Sequence, residues 1–133
     1  MLGGEISQGK GKRTARRVLA TDPHYKVEVS FEEAVTLLGQ EGMDIGTYVA
    51  WGKPDGTLHG EGEGIIALAD GDMVSWKGLG AGKFGPGGAV RYVGALTFST
   101  ASAKLGKLNS VAGAFEFEVA ADGQTQSKIW EWS

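Results

Sequence analysis

The chain contains no cysteine, only three prolines and only two histidines among 133 residues. Without cysteine there are no disulfides, no thiolate metal sites and no cysteine nucleophile. Neither His24 nor His59 stands near a motif that would activate a hydroxyl, and there is no nucleophile elbow, so no catalytic triad is legible. No apolar run approaches the ~18 residues of a membrane-spanning helix. The start "MLGGEISQGKGKR" lacks the apolar stretch and cleavage site of an export signal. A cytoplasmic protein without a membrane partner is therefore expected. Helical periodicity is almost missing too: only "TASAKLGKLNS" (100–110) could form a helical turn, near 101–108, with Gly106 limiting its length.

What is abundant is glycine, 23 of 133 residues, more than twice the usual ~7%. Hydrophobic residues make up 41% and charged residues 22%, a globular composition for one domain. The net charge of −3 is unevenly spread. "KGKRTARR" holds Lys10, Lys12, Arg13, Arg16 and Arg17, leaving eight basic against 16 acidic residues elsewhere. A basic cluster can bind nucleic acid. Here no aromatic residue interleaves it for base stacking, and the acidic remainder would repel phosphate, so no nucleic-acid partner is expected.

Outside 100–110 the chain alternates between strand patterns and turn signals. Strands are expected near 11–20, 24–38, 43–53, 57–69, 73–84, 89–100, 110–120 and 124–132, with residues 1–9 as a flexible lead and 10–133 as one domain. Turns such as Pro54-Asp55-Gly56, Asp70-Gly71-Asp72 and Asp122-Gly123 have a mechanism, because glycine tolerates the positive φ that they demand. Short connections make successive strands pair, and a meander of eight strands loses its edges most simply by closing. The expected fold is all-β: a single eight-stranded up-and-down antiparallel barrel.

The stretch "HGEGEGIIAL" places Gly60, Gly62 and Gly64 at strand spacing, and "WKGLGAGKF" repeats the comb with Gly78, Gly80 and Gly82. A two-residue turn at Asp55-Gly56 would set Trp51 opposite Gly60. A three-residue loop at 70–72 would set Gly64 opposite Gly78, and a longer loop at 85–89 would set Trp76 opposite Phe98. One face then carries Ile45, Val49, Trp51, Leu58, Ile66, Leu68, Val74, Trp76, Phe84, Tyr92, Leu96 and Phe98. The other carries His59, Glu61, Glu63, Lys77, Lys83 and Arg91, and the apolar face belongs inside. Two adjacent strands without side chains leave a trough in the barrel. Either large rings fill it or it stays open as a pocket. If open, its wall would be Trp51, Gly62, Trp76, Gly80, Tyr92 and Phe98.

The order of "KVEVSFEEAVTLLG", "DIGTYVAWGKPDGTLHGEGEG", "WKGLGAGKF", "VGALTFSTASAKLGKLNSVAGAFEFEV" and "KIWEW" resembles a family of small bacterial proteins with an allene oxide cyclase-like β-barrel fold. The resemblance runs from about Gly11 to Trp132. It implies a calycin-like eight-stranded barrel assembled as a homo-oligomer, and no particular activity. More distant sharers of that barrel include plant allene oxide cyclases, dirigent proteins and some polyketide cyclases, which use an apolar cavity as a mould with one or two polar groups. None of their catalytic residues maps onto a position here, and fold does not fix function.

Several constellations yield to simpler readings. "GAGKFG" (80–85) matches the dinucleotide pattern but leads into "PGG", not a helix, and "GEISQGKG" (4–11) has glycine where a phosphate loop needs a hydroxyl. No cofactor is expected. His59, Glu61 and Glu63 share a strand face that could converge on a metal. Lys77 and Lys83 on the same face make a solvated charge ladder the better reading, and no metal site is assigned. Glu33 interrupts the apolar row Val27, Val29, Phe31, Val35, Leu37. The doubled acid Glu32-Glu33 reads first as a β-bulge that lets both groups reach water. If Glu33 is instead buried, its pKa rises and it becomes a candidate proton donor or acceptor. Tyr48, Tyr92 and Asn109 are further polar groups that could line a barrel mouth. "KIWEW" sets Trp130 and Trp132 on one face, inward in a closing strand, or outward as an oligomer surface.

Two functions follow. The first is a binding module that holds a small apolar ligand in the barrel. The second is a cofactor-free cyclase or isomerase acting on an apolar polyene or epoxide, with Glu33 or Tyr92 moving a proton. A filled barrel acting through its oligomer surface is the third possibility.

Overall fold

The computed structural model describes residues 2–133. Eight strands follow in chain order: β1 (Leu2–Ala20), β2 (Lys26–Leu37), β3 (Gln40–Gly52), β4 (Leu58–Leu68), β5 (Met73–Phe84), β6 (Val90–Thr100), β7 (Ala112–Val119) and β8 (Gln124–Trp132). Each pairs antiparallel with the next, and β8 returns to β1, closing the barrel. The helical pieces among the described residues are two 3-10 turns, Pro86–Gly88 and Gly106–Ser110. None is long and apolar enough to cross a membrane.

Strand β1 starts earlier than the expected residue 11. Leu2–Gly9 begin β1, with Ser7 paired both to Leu37 of β2 and to Ile129 of β8. Ile6 and Ser7 are buried, and it is this segment that joins the last strand to the second. Met1 lies outside the described residues. Beyond Lys12 the partner strand β8 ends, and Ala15–Ala20 continue as a ribbon with β2 alone, after an irregularity at Arg13/Ala15.

The hairpin between β3 and β4 corrects the expected register. Lys53 N–H donates to Thr57 O at 2.9 Å and Gly56 N–H to Lys53 O at 3.0 Å, so the loop holds three residues, Pro54, Asp55 and Gly56. Gly56 takes φ +87, and Asp55 Oδ1 accepts from both the amide and the hydroxyl of Thr57. This is a tight turn followed by a left-handed glycine, the usual three-residue hairpin. The extra residue puts Trp51 opposite His59 and Gly52 opposite Leu58. A slip of one residue exchanges the two faces of a strand. Asp44, Gly46, Tyr48 and Ala50 therefore face in, while Ile45, Val49 and Trp51 face out.

The other registers keep their faces. The β4–β5 loop closes between Leu68 and Asp72, pairing Gly62 with Gly78 and Gly64 with Trp76, two residues from the expected match. The β5–β6 pairing sets Trp76 opposite Phe98 and Gly82 opposite Tyr92, as expected. Phe84, expected inside, is 53% exposed where β5 runs out. Trp130 and Trp132 point outward, because Ser127 and Ile129 take the inner row of β8.

The interior divides along the axis. At the end holding the β2–β3 and β4–β5 turns, Leu37, Leu68, Val74 and Phe98 pack with Leu105 and Leu108 from the β6–β7 connection. Leu108 has no exposed surface, so this connection plugs its end. Toward the opposite end lie Phe31, Leu58, Tyr92, Phe117 and Val119, with Tyr48, Trp76 and Phe115 packed against them.

Candidate functional site

Both glycine combs face inward, on adjacent strands, and rings occupy the space they leave. A Cβ on Gly64 would come within 2.6 Å of the Trp76 indole, and one on Gly82 within 2.6 Å of the Tyr92 ring. Distances that short do not occur between real atoms, so a side chain at either place would displace a ring. The rings also touch one another: Phe31 and Phe117 at 4.9 Å between centroids, Tyr48 and Tyr92 at 5.5 Å, Tyr48 and Phe117 at 5.7 Å. They do not fill the barrel completely. A cavity of about 80 Å3 remains, walled by Phe31, Tyr48, Trp76, Tyr92, Phe115 and Phe117 over a floor of Gly60, Gly62, Gly78 and Gly80.

Two carboxyl groups enter this cavity. Glu33 is 1% exposed and Asp44 is 8% exposed, and their backbones pair across β2 and β3. No bulge forms at Glu32-Glu33: the pairing steps evenly through both residues, with Glu32 outside and Glu33 inside. The hydroxyls of Ser127 and Thr125 donate to Glu33 at 2.6 and 2.8 Å. Opposite, a Cβ on Gly9 would lie 2.9 Å from Glu33 Oε1, so that glycine makes room for the acid. Burial raises the Glu33 pKa against the lowering influence of the two hydroxyls.

Asp44 accepts from Trp76 Nε1 through Oδ1 at 2.8 Å, while Oδ2 has no hydrogen-bond partner among the described residues. Burial pushes its pKa up to about 7; the indole hydrogen bond opposes this and the charge of Glu33 adds to it. Burial likewise holds the Tyr48 phenol above its ordinary value and pushes Tyr92 up to about 12. The site thus offers an apolar aromatic wall, one acid fully engaged by hydroxyls, and a second with a free oxygen that changes charge near neutrality.

Of the residues expected to wall a pocket, Gly62, Trp76, Gly80 and Tyr92 line the cavity. Trp51 does not: it lies outside, 5.1 Å from the His59 ring and under the Lys26 ammonium at 5.4 Å. Phe98 is buried in the plugged end, away from the cavity. Glu33 faces the cavity, and Asn109 spends its amide on the backbone N–H and O of Thr100. His59 and Glu61 lie 3.5 Å apart on the outer face, and Glu63 reaches Lys77 at 3.9 Å, forming the charge ladder. Asp44, Phe115, Phe117 and Ser127 also line the cavity, and the sequence pattern does not mark them as site residues. Asp44 was hidden by the β3 register alone. Reading Pro54 as the second residue of a tight turn would have exposed it.

No protein-family model matches the chain, and no curated protein matches it by sequence. Solved structures do match its shape. A protein of unknown function from Clostridium acetobutylicum superposes with a TM-score of 0.86 at 14% identity, covering 100% of this chain and 98% of that one. A β-barrel like protein from Acinetobacter baumannii gives 0.82 at 11% identity, covering 98% and 94%. An enzyme from Penicillium herquei gives 0.68 at 16% identity, covering 96% and 92%. At such identities the likeness is one of fold. The neighbours are consistent with a family of uncharacterised β-barrel proteins, and the narrower allene oxide cyclase-like assignment is not confirmed by them.

Proposed function

We propose that the protein is a binding module whose barrel receives a small, largely apolar molecule. The observation that carries this reading is the cavity of about 80 Å3 left between six aromatic rings and a bare glycine floor. One water needs ~10–15 Å3 of such volume, so the space suits a molecule on the order of five heavy atoms. Pockets for drug-sized ligands are nearer ~300–1,000 Å3. The cyclase reading has the acids it needs, but a polyene would not fit without moving Tyr48 and Tyr92, so the geometry favours binding over ring closure.

Trp76 reports on the site, because its indole forms part of the wall and donates to Asp44. Titration with neutral, cationic and anionic molecules of this size is expected to shift its fluorescence saturably for at least one class. The shift should persist in Trp51→Phe and vanish in Trp76→Phe. No saturable response to any class would mean that the barrel is merely filled.

We also infer that the outer band of Met43, Ile45, Ile65 and Met73, each 44–54% exposed, pairs with a second copy of the chain. Met43 and Met73 flank Ala67, and Ile45 lies beside Ile65, so the patch is continuous. Exposed apolar patches of this kind favour association. Glu63 and Lys77 border it with both signs of charge, which suits a two-fold self-pairing.

A further inference from the structure

We propose that the molecule held in the barrel is a small organic cation, an alkylammonium, seated between the aromatic rings with its charge toward Asp44 and Glu33. This rests on the reading of the interior as a binding site and goes beyond it by assigning the ligand's charge. Three observations converge on it.

The first is an uncompensated pair of acids. Glu33 and Asp44 are neighbours on adjacent strands, both more than nine-tenths buried, and no basic side chain among the described residues lines the cavity that they share. Burying carboxylates without a counter-charge is costly unless a proton or a cation neutralises them. The second is the free oxygen. Hydroxyls engage both oxygens of Glu33, yet Asp44 Oδ2 has no hydrogen-bond partner among the described residues. An N–H donor from a ligand would complete it. The third is the wall. Aromatic faces attract cations through their quadrupole, and enclosure by several rings is a recurrent way of holding alkylated ammonium groups. Here Phe31, Tyr48, Trp76, Tyr92 and Phe117 surround a space small enough for such a group. A neutral hydrocarbon would use the rings and leave the acids unanswered; an anion would be repelled by them.

The charged and titratable groups around Asp44 are few. From β2 it meets Glu33, from β5 the Trp76 indole, and from the cavity wall the phenols of Tyr48 on β3 and Tyr92 on β6. β8 contributes the hydroxyls next to Glu33 and the apolar Ile129; from β4, Glu61 borders the cavity beside Gly60 and Gly62, but its carboxylate is half exposed and lies 3.5 Å from His59 on the outer face. The positive charges of Arg13 and Arg16 on β1 act on the Tyr48 phenol.

The test compares three probes of similar size by calorimetry and by Trp76 fluorescence: trimethylammonium chloride, tert-butanol and sodium acetate, at matched ionic strength. Trimethylammonium is expected to bind at least tenfold more tightly than the other two. Because Asp44 titrates at about 7, its affinity should rise about tenfold between pH 6 and pH 8. Calorimetry in two buffers of different ionisation enthalpy should show proton release on binding at pH 6.5. Asp44→Asn is expected to weaken trimethylammonium at least tenfold, and to weaken it far more than it weakens tert-butanol. Should that variant not fold, the proton release and pH slope of the unaltered protein decide the matter. Equal binding of tert-butanol and trimethylammonium, or preference for acetate, would overturn the charge assignment and leave the interior binding site standing. Silence from all three probes would remove both.

Discussion

Asp44 shows how strongly one position depends on its surroundings. In water an aspartate is ionised well below neutrality, but burial here holds the carboxyl protonated up to about pH 7. The consequence for stability has a definite sign. The native state binds this proton more tightly than the unfolded chain does, so the group favours folding while both states are protonated, below about pH 4. That advantage drains away as pH rises toward 7, and no further change follows above it. The Glu33 carboxyl shifts in the same direction and reinforces the trend. The loss amounts to something on the order of a few kcal/mol. Thermal melts of the ligand-free protein are therefore expected to fall between pH 5 and pH 8, and Asp44→Asn, which keeps an acceptor for Trp76, should flatten much of that slope. Melting temperatures that rise over the same range would contradict the burial of both acids.

At the scale of the strand, the glycine combs serve the rings. Trp76 and Tyr92 are too large for a barrel of this width unless neighbouring strands give up their side chains, and β4 and β5 do so at alternate positions. Gly64→Ala places a methyl 2.6 Å from the indole that Asp44 holds, so the ring must move and its hydrogen bond with it. A cost of about 1–3 kcal/mol is expected. Gly4→Ala, on β1 with nothing within 4 Å of the new atom, should stay within ~0.5 kcal/mol. Chemical denaturation of the two variants measures the difference, and equal stabilities would mean that the combs do not govern ring packing. The hairpins act at the same scale. The alternation of β3 is clear in its sequence, but alternation names two faces without saying which is inside. One residue more in the Pro54–Gly56 loop decided that Asp44 and Tyr48 enter the barrel and that Trp51 leaves it.

For the molecule as a whole, closure settles the edges and leaves the outer faces to be explained. Lys77 and the acids of β4 keep much of the outside wet, but the band around Ile45 and Ile65 is apolar and open. If it joins two copies, light scattering should give a mass above that of one chain. Ile45→Glu combined with Ile65→Lys should return it to that of one chain without unfolding the barrel, since both side chains lie outside the core. A single-chain mass for the unaltered protein at micromolar concentration would reject the pairing. The plugged end and the aromatic end also differ in kind: leucines from the β6–β7 connection seal one, while aromatic rings occupy the other.

Strand number, meander order and closure were all written in local chemistry: alternation of period two, turn residues at short intervals, and no helix to cover a sheet. So was the inward direction of the combs, because β4 and β5 carry charge on their other face. The path of β3, the burial of Glu33 and the meeting of that acid with Asp44 depended on the structure in three dimensions. Register is set by a hydrogen bond across a turn, and the protonation of a carboxyl by what lies around it. A linear pattern contains neither the loop closure of Lys53 and Thr57 nor the Ser127 and Thr125 hydroxyls that wait for Glu33 from more than 90 residues away.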